Sequence, residues 1–178
     1  MKRYDVSGEI TIRTSLEPGD IGQVVRMHGD FYRKEFNYGI SFEVYVAEGL
    51  CEFYHQYDPS KDAVWICEHQ GIMVGFLLLM HREKAAQLRY FILDPAYRGL
   101  GLGKKLMELY MQFLREHHYT TSYLWTTHEC EAAAGLYKKH GFRLVEEKPS
   151  DAFGKPLREQ KYLWESEEVK ISLPLHPA

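Results

Sequence analysis

Cysteine is scarce and unpaired in this chain: Cys51, Cys67 and Cys130 are widely separated, and none stands in a C-x-x-C pair. An odd, scattered set excludes a disulfide framework and a zinc knuckle. Runs of like charge are missing as well. The 22 basic residues are interspersed with 25 acidic ones, the formal net charge is −3, and no block of five like charges occurs. Such a chain carries no electrostatic footprint for nucleic acid. The longest apolar run, IMVGFLLLM from Ile72, is about half of what a membrane-spanning helix needs. The opening stretch MKRYDVSGEITIRTS holds no continuous apolar segment. These absences lead to the expectation of a soluble, cytoplasmic protein with neither nucleic acid nor membrane as partner. With no internal repeat, low-complexity tract or linker, one domain over residues 1–178 is expected. What is present is a folding composition, 45% hydrophobic, 14% aromatic and 26% charged.

Alternation of apolar and polar residues marks Glu9 to Ser15 as a half-buried strand. Asp20 is a plausible N-cap for a helix carrying Ile21, Val24, Val25 and Met27, ending before Gly39. A second helical stretch follows Ser41 and closes at Asp58-Pro59. Two strands, AVWICEH and IMVGFLLLMHR, are joined by the short connection His69-Gln70-Gly71, and a third, AQLRYFIL, stops at Asp94-Pro95. Leu102, Leu106, Leu109, Tyr110, Phe113 and Leu114 then recur at helical spacing to about His118. SYLWTT reads as a strand. A short helix starts at Thr127 or His128, with Glu129 and Glu131 in its first turn and Gly141 as cap. FRLVEE and REQKYLWES close the chain as strands joined by KPSDAFGKP. The order predicts an α/β (α+β) fold with a mixed sheet, its crossover helix making AQLRYFIL and SYLWTT parallel neighbours.

The stretch YRGLGLGKKL sits between a strand and a helix. Glycines there remove the side chains that would keep an anion off the helix's unpartnered first N–H groups, and the helix dipole favours that anion. Two nucleotide templates fail. The P-loop would need glycine at Arg98 and Ser or Thr at Lys105, and the dinucleotide fingerprint would need glycine at Lys104 or Leu106. His117 and His118 are adjacent and so lie on different helix faces, and His128 beside Cys130 lacks further ligands, so no metal is expected.

Arg98-x-x-Gly101-x-Gly103, five residues after a strand end, together with AAAGLYKKHGF from Ala132 to Phe142, resembles the GNAT superfamily of N-acetyltransferases. The spelling of LWTTHECEAAAGLYKKHGFRLVEEK and HGDFYRKEFNYG is similar to the acetyltransferase half of proteins that fuse a MarR-type DNA-binding domain to such a module, here expected in free-standing form. The resemblance implies a mostly antiparallel sheet of about seven strands with a parallel, splayed central pair and about four helices. It implies acetyl-CoA as cosubstrate, its pyrophosphate on the amides of Gly99, Leu100, Gly101, Leu102, Gly103 and Lys104 beside Arg98. The pantetheine arm would pair with the backbone of Phe91, Ile92 and Leu93, the Phe91 N–H would polarise the thioester, and Tyr137 would give a proton to sulfur. The acceptor would be an amine of a small molecule or a protein, and a homodimer is usual for the family.

Two departures stand out. Cys130 occupies a position where the family often has asparagine, and Gln87 one where some members have a basic glutamate. A base for the amine must therefore come from elsewhere, and Glu35, among Phe31, Tyr32, Phe36 and Tyr38, or His28 is the candidate. Without a base, a non-catalytic acyl-CoA-binding module is the alternative.

Overall fold

The structure, a computed structural model, describes residues 9–167; the expected single domain of 1–178 runs past them at both ends. One sheet of seven strands organises the described residues, in the order β1-β2-β3-β4-β5-β7-β6. The strands are β1 (Ile10–Arg13), β2 (Ala63–His69), β3 (Ile72–Arg82), β4 (Ala85–Leu93), β5 (Thr121–Thr127), β6 (Arg143–Ser150) and β7 (Leu157–Glu165). Helices α1 (Asp20–Phe36) and α2 (Ile40–Gln56) precede β2, α3 (Leu102–Glu116) links β4 to β5, and α4 (Glu131–Lys139) links β5 to β6. All neighbours are antiparallel except β4 and β5. The expected fold class is therefore the one observed. No helix among the described residues is long and apolar enough to cross a membrane.

β3 explains its own sequence. Val74, Leu77 and Leu79 pack with α3 and α4 residues such as Leu106, Tyr110 and Tyr137, while Met73, Phe76, Leu78 and Met80 pack with α1 and α2 residues such as Val24, Val46 and Phe53. A strand covered on both faces needs an unbroken apolar run, which accounts for the longest apolar stretch of the chain.

Several boundaries differ from the sequence reading. Gly19, with φ 104°, takes the N-cap of α1. Asp20 instead accepts the Glu17 N–H at 2.6 Å and the Arg13 guanidinium at 2.8 and 3.0 Å. Burial pushes its carboxyl up, but Arg13 and the amide outweigh that and hold it below the usual carboxylate range. α4 begins only at Glu131 with Cys130 as its N-cap, so Thr127 ends β5 and Glu129 stands outside the helix. At its other end Phe142 N–H reaches Tyr137 O and Gly141 N–H reaches Lys138 O, a Schellman motif with Gly141 at φ 87°. β6 continues through Lys148 to Ser150, which leaves a connector of residues 151–156.

Candidate active site

The site begins where β4 and β5 part company. Their ladder holds only at Ala86 with Ser122, Gln87 with Tyr123 and Leu88 with Leu124, although both strands run on. The β3–β4 register slips between Phe76 and Leu78, opposite Tyr90, which sits at φ 54° inside its strand. A non-glycine residue in left-handed conformation costs about 1–2 kcal/mol. The surrounding sheet tolerates that strain, and the bulge bends β4 away from β5. The result is a cleft walled by Gln87–Phe91 of β4 and Trp125–Thr127 of β5, roofed by His28 and Tyr32 of α1 and Phe42 and Tyr45 of α2. Tyr38, Val46, Cys130, Ala133, Tyr137, Phe153 and Glu159 complete it.

Beyond the end of β4 lies the glycine loop. Gly99 and Gly101 have φ 78° and 82°, with nothing within 4 Å of where a Cβ would stand. Gly101 is the N-cap of α3. The first α-helical bond runs from Lys105 N–H to Gly101 O at 3.0 Å, so the amides of Leu102, Gly103 and Lys104 precede the ladder and face outward along the axis. Gly103 serves a different end: a Cβ there would meet Leu136, Leu93 and Phe91 at 3.4 to 3.8 Å. That close approach joins the loop to β4 and α4, the two elements that bring Phe91 and Tyr137 into the cleft with rings 6.3 Å apart. Arg98 is exposed and lies over the Phe31 ring at 4.4 Å, with Nη2 3.5 Å from Leu93 O. Leu100 is exposed, and Lys104 pairs with Glu108 at 3.6 Å. Ile92 and Leu93 lie in β4 between cleft and loop.

Tyr137 is buried, with Phe142 and Tyr162 about 6 Å away ring to ring. Burial holds its phenol well above the ordinary value near 10, so it keeps its proton at neutral pH. Cys130 Sγ lies 3.6 Å from Thr127 Oγ1 and 3.9 Å from Tyr32 OH, contacts an asparagine amide would have made more strongly. Gln87 lines the cleft while its oxygen accepts the Arg82 Nε–H at 2.9 Å.

The candidate base Glu35 is a correction. It is exposed and outside the cleft lining, because the inward positions of the last turn of α1 belong to Tyr32 and Phe36, whose rings pack at 5.5 Å. The apolar surround expected for Glu35 is theirs. His28 does line the cleft, but Nδ1–H donates to Val24 O at 2.8 Å and burial lowers its pKa to about 4. It is neutral at pH 7 and a feeble base. The folded pKa lies below the ordinary 6.5, so as pH falls from about 6.5 the unfolded chain takes up a proton that the folded one refuses. Stability is lost down to about pH 4, by roughly 3 kcal/mol from this residue. His28→Phe, which fits among Tyr32, Phe42 and Tyr90, should flatten urea-unfolding stability over that window. An unchanged pH slope would mean His28 is not the buried neutral group described.

Other residues reach the site without any signal in the sequence reading. The 151–156 connector, read simply as a join between strands, lies against the chain between α1 and α2 through Gly39 N–H to Phe153 O at 2.9 Å. It carries Phe153 onto Tyr38 and Phe42, and Lys155 Nζ onto Glu129 Oε1 at 2.6 Å. Glu129, expected in the first turn of α4, lies ahead of that helix and accepts from Tyr38 OH at 3.1 Å. His128, considered with Cys130, turns Nδ1 to the Arg158 N–H at 3.2 Å.

Comparison with known proteins decides the lineage. The acetyltransferase (GNAT) family profile matches residues 27–142, well over half of the chain. The chain belongs to the GNAT family. This GNAT protein is 33% identical over 101 residues to the uncharacterised N-acetyltransferase YjgM of Escherichia coli K12, a match spanning 54% of the chain and 60% of that relative. In fold it is similar to a GNAT acetyltransferase of Staphylococcus aureus Mu50, with TM-score 0.72 and 21% identity over 88% of this chain and 99% of that one. A protein described as a streptothricin acetyltransferase of Bacillus anthracis, solved with acetyl coenzyme A, superposes at TM-score 0.55 and 21% identity over 62% and 65% of the two chains.

Proposed function

We propose that the protein is an N-acetyltransferase carrying an acetyl group from acetyl-CoA to a primary amine, by direct attack in a ternary complex. The observation that carries the reading is the parting of β4 from β5 beside a glycine loop at the head of α3, with Tyr137 inside the opening. The acetyl coenzyme A bound to the Bacillus anthracis protein of similar fold supports the same cosubstrate here.

In this reading the diphosphate rests on the amides of residues 99–104, where a helix N-terminus favours an anion. The Arg98 guanidinium, steadied on Phe31, adds charge at its edge. Pantetheine pairs with the backbone of Phe91, Ile92 and Leu93 that β5 leaves uncovered, and the Phe91 N–H faces the oxyanion. The amine attacks the carbonyl carbon, the C–S bond breaks with its electron pair on sulfur, and Tyr137 O–H supplies the proton. The likeness to the acetyltransferase half of MarR fusions rests on spelling alone and adds nothing to this chemistry. Aromatic walls from Tyr32, Tyr38, Phe42, Tyr45, Trp125 and Phe153 with Glu159 among them suit an amine bearing an apolar body.

The test has two stages. Acetyl-CoA at about 100 times its Kd should stabilise the fold by about 2.7 kcal/mol, a rise in Tm of roughly 5–10 °C. Thiol release is then followed with 2-phenylethylamine, putrescine, aspartate and a peptide with a free amino terminus. No thermal shift would sink the coenzyme reading; a shift without thiol release would favour the non-catalytic binding module, for which the substitution at Gln87 already speaks.

A further inference from the structure

The reaction as proposed needs a route for the proton leaving the amine, and neither Glu35, Gln87 nor His28 supplies one. A continuous line of hydroxyls does start in the cleft. Thr127 Oγ1 lies 2.8 Å from Tyr38 OH, and Tyr38 OH donates to Glu129 Oε2 at 3.1 Å. Since the Tyr38 proton is committed to the carboxylate, the short contact is donated by Thr127, whose lone pairs are left to accept a proton. Its alternative partner, Cys130 Sγ, is weaker and longer at 3.6 Å. Thr127 and Tyr38 line the cleft, at 5% and 4% exposure. Glu129 does not, yet its side chain keeps 20% of its surface in solvent. The line therefore begins buried and ends wet.

We propose that Thr127, Tyr38 and Glu129 form the relay that carries the amine proton out of the cleft, with Glu129 as its terminus. As nitrogen bonds to the acyl carbon its remaining protons become acidic. One passes to Thr127 Oγ1, the Thr127 proton passes to Tyr38, and the Tyr38 proton passes to the Glu129 carboxylate, which gives it to water. The proton placed on sulfur comes separately from Tyr137, which takes its replacement from water, so one proton leaves and one arrives per turnover. Burial keeps Tyr38 protonated throughout the working range, which suits a group that hands on one proton as it receives another. The charged and titratable groups facing Glu129 are Lys155 Nζ, Tyr38 and, through Thr127, Cys130. Lys155 also donates to Phe36 O at 2.9 Å, so it fixes the carboxylate against the end of α1.

The proposal rests on the transferase reading, and its test separates the two. With whichever panel amine the wild type acetylates fastest, Glu129→Gln and Tyr38→Phe should each lower kcat at pH 7 about 100-fold, the scale of a lost general base. Kd for acetyl-CoA should stay as in wild type. The deficit should shrink as pH rises, because hydroxide then takes the proton from the attacking nitrogen in place of the relay. Lys155→Met, which removes the ion pair and keeps the relay, should cost less than tenfold. A deficit constant across pH, or one that Lys155→Met reproduces in full, would make Glu129 a structural anchor and overturn the relay while leaving acetyl transfer intact. Wild-type protein that binds acetyl-CoA but acetylates no panel amine would overturn the transferase reading and the relay with it.

Discussion

Gly101→Val is expected to lose acetyl-CoA binding by at least about 100-fold, read by calorimetry as the disappearance of measurable heat at concentrations that saturate wild type. Two effects add at this position. A β-branched residue at φ 82° is strained by about 1–2 kcal/mol or more. Its methyl groups would also occupy the empty space in front of the leading amides of α3, where the diphosphate is proposed to sit. Strain alone can be isolated, because Gly71 in the β2–β3 turn has φ 74° and equally open surroundings. Gly71→Val should show a similar drop in unfolding stability and bind acetyl-CoA as wild type does. If Gly101→Val binds as tightly as Gly71→Val, the loop is a structural turn and the coenzyme lies elsewhere.

Removing a single oxygen should act on a different quantity. Tyr137→Phe keeps the ring against Phe91, Phe142 and Tyr162, so Kd for acetyl-CoA and Tm should hold. Turnover should fall by about 100-fold or more, since sulfur would then leave as a bare thiolate. Single-turnover thiol release with a saturating amine is the measurement. Unchanged turnover would remove Tyr137 from the chemistry and return it to the core between β7 and α4.

The strand, loop and helix around the proposed coenzyme site were largely legible in the sequence, and the roof of the cleft was not. Arg98, Gly101, Gly103 and Tyr137 are close in sequence to the elements that position them, so a strand, a loop and a helix read in order carried the whole arrangement. β3 and α3 could be read for the same reason, each being one period sustained over many residues. The cleft roof depends on meetings that no local pattern encodes. Lys155 reaches Glu129 across 26 residues and Tyr38 reaches Thr127 across 89. Helical phase put Glu35 beside Phe31 and Tyr32, but only packing reveals that Tyr32 and Phe36 take the inward places. Sequence alone favours the first turn of α4 for Glu129, because charge there is ordinarily stabilising; its actual partner Lys155 arrives from a connector that composition marks as a turn. The bulge at Tyr90 gave no sign either, since left-handed backbone advertises itself in sequence only through glycine or asparagine.

The contact of Gly39 with Phe153 has a bearing on how such a protein could change over generations. Gly39 is exposed between α1 and α2, whereas Phe153 is buried in the core cluster that packs one face of β3 against those helices. On the proposed function, variation at the exposed positions of 151–156 would bear on the acceptor while the proposed coenzyme loop at residues 91–104 stays as it is. Duplicates of this gene could diverge in taste by revising a handful of exposed codons there, so long as Phe153 keeps its buried place.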